Sequence, residues 1–428
     1  MSVRLERPAA HPLRLSGPLI EAALGNVVIG EVCEVRRHWR LPDIAARAQV
    51  IGFKPGAVLL SLLGDAKGLS RESMIVPTGA TLQLTCSDAL LGSVVDPQGV
   101  IVEHLAPSTA LAQQDYPVDA DPPSYQQRRS VTQPLRTGIR VIDGLLTCGV
   151  GQRIGIFAAA GSGKTTLINM LINHTDADVF VIGLIGERGR EVTEFIEHLR
   201  QSEKCSRCVV VYATSDFSSV DRCNSALQAT AIAEYFRDQG RRVVLLLDSL
   251  TRYARARRDL ALAAGEAPAR RGYPASVFDA LPRLLERPGV TASGSITAWY
   301  TVLLESDDEP DPIAEEIRSI LDGHVYLSRA LAAKGHYPAI DVLRSLSRVA
   351  TQVTPPEVQQ LAAATREMLT RLEQLQIFLD MGEYTQGVDV ANDHALQRRE
   401  ALTQWLRQPV QESCEPEETV RSLHELIA

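Results

Sequence analysis

Three patterns of apolar and polar residues follow one another along the chain, and the first predicts small strands. Between residues 26 and 76, glycine, proline and aspartate separate short apolar runs at 27–29, 50–53 and 57–63. Such spacing is typical of short antiparallel strands joined by tight turns. The sequence therefore predicts a compact N-terminal β-barrel, and no binding cleft is indicated in it.

The second pattern consists of apolar runs separated by helical stretches. A segment rich in proline, aspartate, glutamine and serine, residues 105–129, precedes it and is predicted to be a surface loop or crossover. The runs themselves lie at 154–158, 179–185, 209–212 and 243–247. Continuous apolar runs that alternate with helices are typical of a parallel sheet buried on both faces. This region is predicted to be an α/β core.

The third pattern is helical. After Pro355 and Pro356, apolar residues recur every three, four or seven residues, which predicts a helix with one apolar stripe. We interpret this stripe as packed core rather than as a groove for a partner. A further helix is predicted over 393–407, and the acidic residues 412–418 are predicted to form a solvated connection. The stripe comprises Leu361, Met368, Leu372, Leu375 and Leu379.

These patterns predict three domains. They are an N-terminal β-barrel over residues 1–85, an α/β core over 86–350 and a C-terminal α-helical domain over 351–428. A length of 428 residues is consistent with this division, because domains usually contain about 150 residues.

Composition narrows the possible classes of protein. The chain is 45% hydrophobic, and none of its apolar stretches approaches the roughly 18 residues of a membrane span. Residues 1–13 carry scattered arginines without a continuous apolar run, so no leader peptide and a cytosolic location are expected.

A net charge of −8 argues against a nucleic-acid coat but leaves a local basic channel possible. The seven cysteines, including the Cys205/Cys208 pair, are expected to be reduced thiols rather than zinc ligands.

One motif carries specific chemistry. Residues 158–165 read AAAGSGKT and lie between an apolar run and a helical stretch, as a phosphate-binding P-loop requires. Backbone N–H groups of such a loop surround the β-phosphate, Lys164 contacts the β- and γ-oxygens, and the Thr165 hydroxyl ligates magnesium. Ala158 departs from the usual first glycine. The predicted nucleotide-binding residues are Ala160, Gly161, Ser162, Gly163, Lys164, Thr165 and Thr166.

Two carboxylates follow predicted strands. Asp248 ends the run at 243–247, where it suits a magnesium ligand through water, although a lone aspartate at a strand end is often a helix cap or turn residue. Glu187 follows the run at 179–185, at the sheet edge where α/β proteins bind their ligands. It is a candidate for the base that orients the attacking water, and spacing alone leaves open that it is a surface charge.

Together these motifs resemble those of the hexameric export ATPases of type III secretion systems, which are related to the catalytic subunits of rotary ATP synthases. The resemblance spans almost the whole chain and identifies the core as RecA-like. It rests on PLRTGIRVIDGLLTC (134–148), IFAAAGSGKT (156–165), GERGREV (186–192), RGYPASVF (271–278), DPIA (311–314), RSILDGH (318–324) and LRSLSRV (343–349).

The resemblance implies roles for individual residues. Glu187 matches the catalytic glutamate that polarises water, and Asp248 matches the magnesium-side aspartate. Arg188 and Arg252 match arginines near the γ-phosphate. Tyr337, in GHYPAID (335–341), matches the aromatic residue that stacks on adenine. Arg348 matches the arginine finger that each subunit inserts into its neighbour's site. On sequence alone, Tyr337 would be interpreted as a packing residue and Arg348 as a salt-bridged surface arginine.

The resemblance also implies a cellular setting. It implies a homohexameric, magnesium-dependent ATPase at the cytoplasmic face of the inner membrane, whose barrel oligomerises and whose helical domain faces substrates. The implied partners are a central coiled-coil stalk protein, a peripheral stator or regulator, complexes of chaperones with exported effectors, and the export gate, without nucleic acid.

MGEYTQGVD (381–389) resembles the export-type turn rather than the acidic turn of synthase subunits. Virulence-type secretion is favoured over flagellar export, and Ser93 and Ala275 are unexpected at their positions.

Three other functions remain possible at this point. A rotary synthase or ion-pump subunit would synthesise ATP with a membrane sector. A hexameric RNA translocase also combines a barrel with such a core, but the barrel here lacks an evident aromatic cluster for base stacking. A non-catalytic ring subunit is disfavoured by the presence of both Glu187 and Lys164.

Overall fold

The computed structural model describes residues 9–40, 43–64, 66–107, 113–305 and 311–427. The strands are β1 Pro12–Ser16, β2 Leu19–Ala22, β3 Glu31–Arg36, β4 Ile44–Lys54, β5 Ala57–Leu63, β6 Met74–Thr81, β7 Gln83–Cys86, β8 Ser93–Val95, β9 Ile101–His104, β10 Gln114–Pro117, β11 Arg128–Arg129, β12 Arg153–Ala158, β13 Val179–Ile185, β14 Cys208–Ala213, β15 Arg242–Asp248, β16 Gly289–Thr291, β17 Ser295–Leu303, β18 Gly323–Leu327 and β19 Ile340–Ser347. The α-helices are α1 Arg140–Leu145, α2 Lys164–His174, α3 Gly189–Arg200, α4 Ser219–Asp238, α5 Leu250–Ala264, α6 Ala275–Leu285, α7 Pro312–Ile320, α8 Arg329–Ala333, α9 Ala350–Val353, α10 Pro356–Met381, α11 Val390–Leu406 and α12 Pro416–Ile427.

The chain forms two compact units, each assembled from separate stretches of sequence. The first unit comprises Met1–Pro122, Val181–Phe236 and Leu247–Arg287. The second comprises Pro123–Phe180, Arg237–Leu246 and Pro288–Ala428. The domain boundaries at 85/86 and 350/351 remain predictions.

The first unit begins with the predicted barrel. Strands β1 to β6 form an antiparallel sheet in the order β1-β2-β5-β4-β3-β6, and a bridge between Ala10 and Ile75 joins its two ends. Ile20, Leu60 and Ile75 are fully buried in its core. The predicted strands at 50–53 and 57–63 are confirmed within β4 and β5.

The predicted strand at 27–29 is wrong. Residues 27 and 28 have irregular backbone and Ile29 begins a turn, and Val28 and Ile29 are exposed. Gly30 has a φ of +86°, which ends the extended backbone, and the Glu31 carboxylate accepts a hydrogen bond from the Val28 N–H at 3.1 Å. The short apolar run therefore belongs to the entry into β3.

The remainder of the first unit contains β7 to β10, β14, the helices α3, α5 and α6, and most of β13 and α4. Strand β14 pairs parallel with β8, and β8 pairs antiparallel with β9. Strand β10, which lies inside the segment predicted to be a loop, pairs with β7. The loop prediction is therefore wrong at 114–117, and also at 128–129, where β11 pairs with β16. Residues 108–112 of this segment, like residues 1–8 of the chain, lie outside the described ranges.

A buried ion pair joins helix α4 to the segment that follows α6 in the first unit. The Arg287 guanidinium donates to both carboxylate oxygens of Glu234, at 3.1 and 2.5 Å, and to the Val118 carbonyl at 2.9 Å. Arg287 is 1% and Glu234 2% exposed, so both charges depend on this pairing.

The second unit contains the sheet that carries the P-loop. Its strands lie in the order β19-β18-β12-β17-β15, and β12 pairs parallel with both β17 and β18. The four strands predicted for the α/β core are confirmed as β12, β13, β14 and β15, with bounds that differ by at most one residue. These strands could be recognised from continuous apolar runs because both of their faces are buried.

Helices α10, α11 and α12 pack against one another and against α1. The predicted helices after Pro355 and over 393–407 are confirmed as α10 and α11, and Met368 and Leu375 of the stripe are buried. The acidic segment is not a solvated connection throughout. Glu417 and Glu418 form the first turn of α12, and Glu412 pairs with Arg140 at 3.0 Å.

Among the described residues, no helix is long and apolar enough to cross a membrane. All seven cysteines are buried and form no disulfide, and Cys208 is the first residue of β14.

Candidate nucleotide-binding site

The predicted P-loop connects β12 to α2 in the second unit. Helix α2 begins at Lys164, and no side chain caps its N-terminus. Gly161 and Gly163 have φ values of +79° and +86°, which L side chains rarely adopt, and the Ser162 hydroxyl donates to the Ala159 carbonyl at 2.7 Å. The loop thus turns tightly onto the N-terminus of a helix that no side chain caps, which is a favourable place for an anion.

Ala158, which replaces the usual first glycine, lies at the end of β12 rather than in the turn. It pairs with Leu303 on one side and with Leu327 on the other, and is 1% exposed. Its φ is not positive, so the backbone there does not require glycine. The departure from the motif leaves the loop intact.

Tyr337 lies against the P-loop. A Cβ added at Gly163 would be 2.8 Å from Cε1 and 3.2 Å from Cδ1 of the Tyr337 ring. The ring is half-buried, which leaves part of its surface for a flat ligand. The structure therefore brings Tyr337 together with the loop that the sequence predicted independently.

Glu187 lies in the first unit, directly after β13 and Gly186. It is 5% exposed, so it is not a surface charge. Its Oε2 atom accepts a hydrogen bond from Nη2 of Arg252 at 3.2 Å, and Arg252 also donates to the Gly186 carbonyl. The Glu187 carbonyl accepts from the Ser215 N–H at 2.9 Å. These contacts fix both the backbone and the carboxylate of Glu187.

Asp248 is the last residue of β15 and is 7% exposed. The N-cap of the following helix, α5, is Ser249, whose hydroxyl accepts from the Arg252 N–H. The cap role considered for Asp248 thus belongs to its neighbour.

The other two predicted arginines are exposed. Arg188, in the first unit, has 79% of its side chain exposed and lies 3.6 Å from Glu191. Arg348, in the second unit, follows β19, and its backbone N–H donates to the Asp322 carbonyl at 2.8 Å. Within the described part of the chain, its guanidinium donates to the carbonyls of Arg318 and Ser319, each at 3.5 Å. Such long contacts leave the guanidinium available to another group.

The predicted site residues are thus distributed over both units. The second unit holds the P-loop, with Lys164 half-buried and Thr165 exposed, together with Tyr337 and Arg348. The first holds Glu187, Arg188, Asp248 and Arg252.

Sequence reasoning missed the pairing of Glu187 with Arg252. It also missed Gln408, whose N–H donates to the Tyr337 carbonyl at 2.8 Å. No local signal marks either contact, because each joins residues that are far apart in the chain.

The strand, the glycine-rich turn and the helix that begins Lys-Thr define a P-loop nucleotide-binding protein. Residues 138–347 match the model of the ATP synthase alpha/beta family, nucleotide-binding domain, and residues 354–425 match that of the T3SS EscN ATPase C-terminal domain.

The chain is 60% identical to the SPI-1 type 3 secretion system ATPase of Salmonella typhi over 98% of each protein. Its structure matches assembled EscN of enteropathogenic E. coli with a TM-score of 0.91 at 42% identity, covering 98% of this chain and all of that one. EscN in complex with its central stalk EscO matches with a TM-score of 0.88 at 40% identity and the same coverage.

The chain belongs to the type 3 secretion system ATPases, and it is an ATPase with a RecA-like core, an N-terminal barrel and C-terminal helices. The match at 354–425 separates it from synthase subunits, as the turn at 381–389 predicted.

Proposed function

We propose that the chain hydrolyses magnesium-bound ATP to energise chaperone release, unfolding and export of proteins by a type III secretion apparatus. The observation that carries this proposal is the P-loop between β12 and α2, with the Tyr337 ring packed on Gly163. Family membership supports protein export rather than ATP synthesis or RNA translocation.

The P-loop residues would hold the phosphates. Backbone N–H groups from Ala160 to Thr166 suit the β-phosphate, because α2 begins without a side-chain cap. Lys164 supplies the charge for the β- and γ-oxygens. The Thr165 hydroxyl and the Asp248 carboxylate are the hard oxygen ligands that magnesium prefers, so these residues fit the ion. When bound, magnesium would neutralise charge on the phosphate oxygens. The half-buried Tyr337 ring would stack on adenine.

Glu187 would hold the attacking water and orient it toward the γ-phosphate. Arg252 keeps the carboxylate in one orientation through the 3.2 Å hydrogen bond, and with Arg188 it would stabilise negative charge during the reaction. The exposed Arg348 suits the role of a finger for a neighbouring subunit, where such groups contribute about 10³ to 10⁵ in rate.

The assembly we propose is a homohexamer. Residues 1–85 would oligomerise, 86–350 would hydrolyse ATP, and 351–428 would face chaperone–effector complexes. The similarity to assembled EscN and to its complex with a central stalk supports self-association and a central stalk partner, which we propose is a coiled coil. A peripheral stator and the inner-membrane export gate complete the proposed partners, at the cytoplasmic face and without nucleic acid.

The test compares ATP hydrolysis, with and without magnesium, in the native chain, in Glu187→Gln and in Glu194→Gln. Glu194 is exposed and pairs with Arg190 on helix α3, so it is the matched control. We expect Glu187→Gln to lower kcat by about 10²- to 10⁴-fold while ATP still binds. Native activity in Glu187→Gln, or hydrolysis without a divalent ion, would contradict the proposal.

A further inference from the structure

The segment after α11 is held against the elements that surround the P-loop within the second unit. We call residues 407–415, which connect α11 to α12, the C-terminal strap. The His174 Nε2 atom, at the end of the P-loop helix α2, lies 2.7 Å from the Val410 carbonyl. Arg136 pairs with Glu415 at 2.5 Å, and Arg140 donates to the Arg407 carbonyl at 2.6 Å. The strap is therefore anchored at both of its ends and at its centre.

Gln408 is the central residue of this arrangement. It is 2% exposed, and its amide uses both donors and its acceptor. Nε2 donates to the carbonyls of Gly138 and Glu412, each at 2.7 Å, and Oε1 accepts from the Arg140 N–H at 2.8 Å. A reversed amide would place its oxygen against two carbonyls, so the hydrogen bonds determine one orientation.

The loop that receives Gln408 is itself rigid. The buried Asp143 carboxylate accepts from the N–H groups of Thr137 and Gly138, at 3.0 and 2.9 Å, and from the Thr137 hydroxyl at 2.6 Å. A Cβ at Gly138 would lie 2.5 Å from Ser413 Oγ, which shows how closely the strap approaches. Gln408 is therefore attached to a fixed part of the unit.

The backbone of Gln408 transmits this fixed position to the nucleotide-binding residues. Its N–H donates to the Tyr337 carbonyl at 2.8 Å, and the Tyr337 ring lies against Gly163 of the P-loop. The neighbouring His336 is buried. Tyr337 is thus bound to the strap through its carbonyl and contacts the P-loop through its ring.

We infer that Gln408 is a positioning residue for ATP binding. Its backbone N–H holds the Tyr337 carbonyl and thereby keeps the Tyr337 ring where adenine would stack. The inference rests on the proposed stacking of Tyr337 on adenine. Gln408 itself touches no nucleotide in this account. Its loss would loosen the binding of the base while the groups around the γ-phosphate keep their places.

The test measures kcat and KM for ATP in Gln408→Met, which keeps the side-chain volume and removes all three side-chain hydrogen bonds. We expect KM to rise about 3- to 10-fold and kcat to stay within about 2-fold. Gln404→Met is the matched control, because Gln404 is exposed and its side chain has a single, long hydrogen bond among the described residues, to Glu400 at 3.5 Å. Its KM should equal that of the native chain.

A double-mutant cycle separates positioning from general destabilisation. If Gln408 acts through Tyr337, Gln408→Met should add nothing to the KM of Tyr337→Ala. Additive effects, or an unchanged KM in folded Gln408→Met, would overturn the inference. If Gln408→Met does not fold, Arg140→Met removes only the partly exposed guanidinium anchors of the strap, and it should raise KM less. An unchanged KM in that variant would overturn the inference equally.

Failure of the proposed function has a different signature. A KM that Tyr337→Ala leaves unchanged would refute the stacking role of Tyr337, and the inference with it. A KM that rises in Tyr337→Ala but not in Gln408→Met would overturn the inference alone.

Discussion

The contact between Tyr337 and the P-loop can be tested by adding one methyl group. Gly163→Ala places a Cβ 2.8 Å from Cε1 of the Tyr337 ring, at a residue whose φ is +86°. Gly161→Ala is a natural comparison, because Gly161 has a similar φ of +79° but no heavy atom within 4 Å of an added Cβ. Both substitutions therefore introduce backbone strain, and only Gly163→Ala also introduces a clash.

The expected magnitudes follow from these two terms. An alanine in the left-handed region costs about 1–2 kcal/mol, which is the whole effect expected for Gly161→Ala. Overpacking against a ring adds about 1–3 kcal/mol, so Gly163→Ala should lower the free energy of unfolding by about 2–5 kcal/mol. In a Tyr337→Ala background the clash disappears, and the effect of Gly163→Ala should fall to that of Gly161→Ala.

The assay is urea unfolding without nucleotide, followed by tryptophan fluorescence. Trp299, fully buried in β17 beside β12, reports on the sheet that carries the loop. Equal destabilisation by Gly161→Ala and Gly163→Ala would refute the contact. So would a cost of Gly163→Ala that is the same with and without the Tyr337 ring.

Three further predictions concern single groups. Burial raises the pKa of Asp143 from 3.8 to about 6, in spite of its hydrogen bonds to Thr137 and Gly138. The folded chain then holds this proton more tightly than the unfolded chain does. The free energy of unfolding of the native chain, relative to that of Asp143→Asn, should therefore fall by on the order of 2 kcal/mol as pH rises from about 4 to 6. Urea titrations at several pH values measure this difference. Arg287→Met should cost about 3–5 kcal/mol by leaving Glu234 buried without its partner, and adding Glu234→Leu should recover most of that in the same assay. Ala158→Gly should leave the Kd for ATP unchanged in calorimetry, because Ala158 lies in β12 and not in the phosphate-binding turn.

Local sequence patterns predicted the elements whose residues are buried on all sides. Strand β13 matches its predicted bounds because seven consecutive residues are buried. The run at 27–29 was misread, since a left-handed Gly30 follows it. Helix α12 was missed because its first turn, Pro416 to Glu418, was interpreted as part of an acidic tail. Proline and glutamates at that position are also typical of a helix start, and Thr419, Leu423 and Leu426 then form its buried face.

The same distinction applies to the candidate site. The P-loop could be predicted because its glycines, its lysine and its helix start are neighbours in sequence. The partners of Glu187 and Tyr337 could not, because Arg252 and Gln408 reach them only after the chain has folded. Asp248 was ambiguous from sequence, and only the structure shows that Ser249 is the helix cap.

The central claim, that ATP is hydrolysed at sites completed by a neighbouring subunit, is tested most directly by mixing two inactive variants. Glu187→Gln retains Arg348, the proposed finger, and Arg348→Ala retains the P-loop and Glu187. Each variant alone should be nearly inactive, and an equal mixture should recover up to about a quarter of native activity if Arg348 acts in trans. A mixture no more active than its components, or full activity of Arg348→Ala alone, would contradict the account.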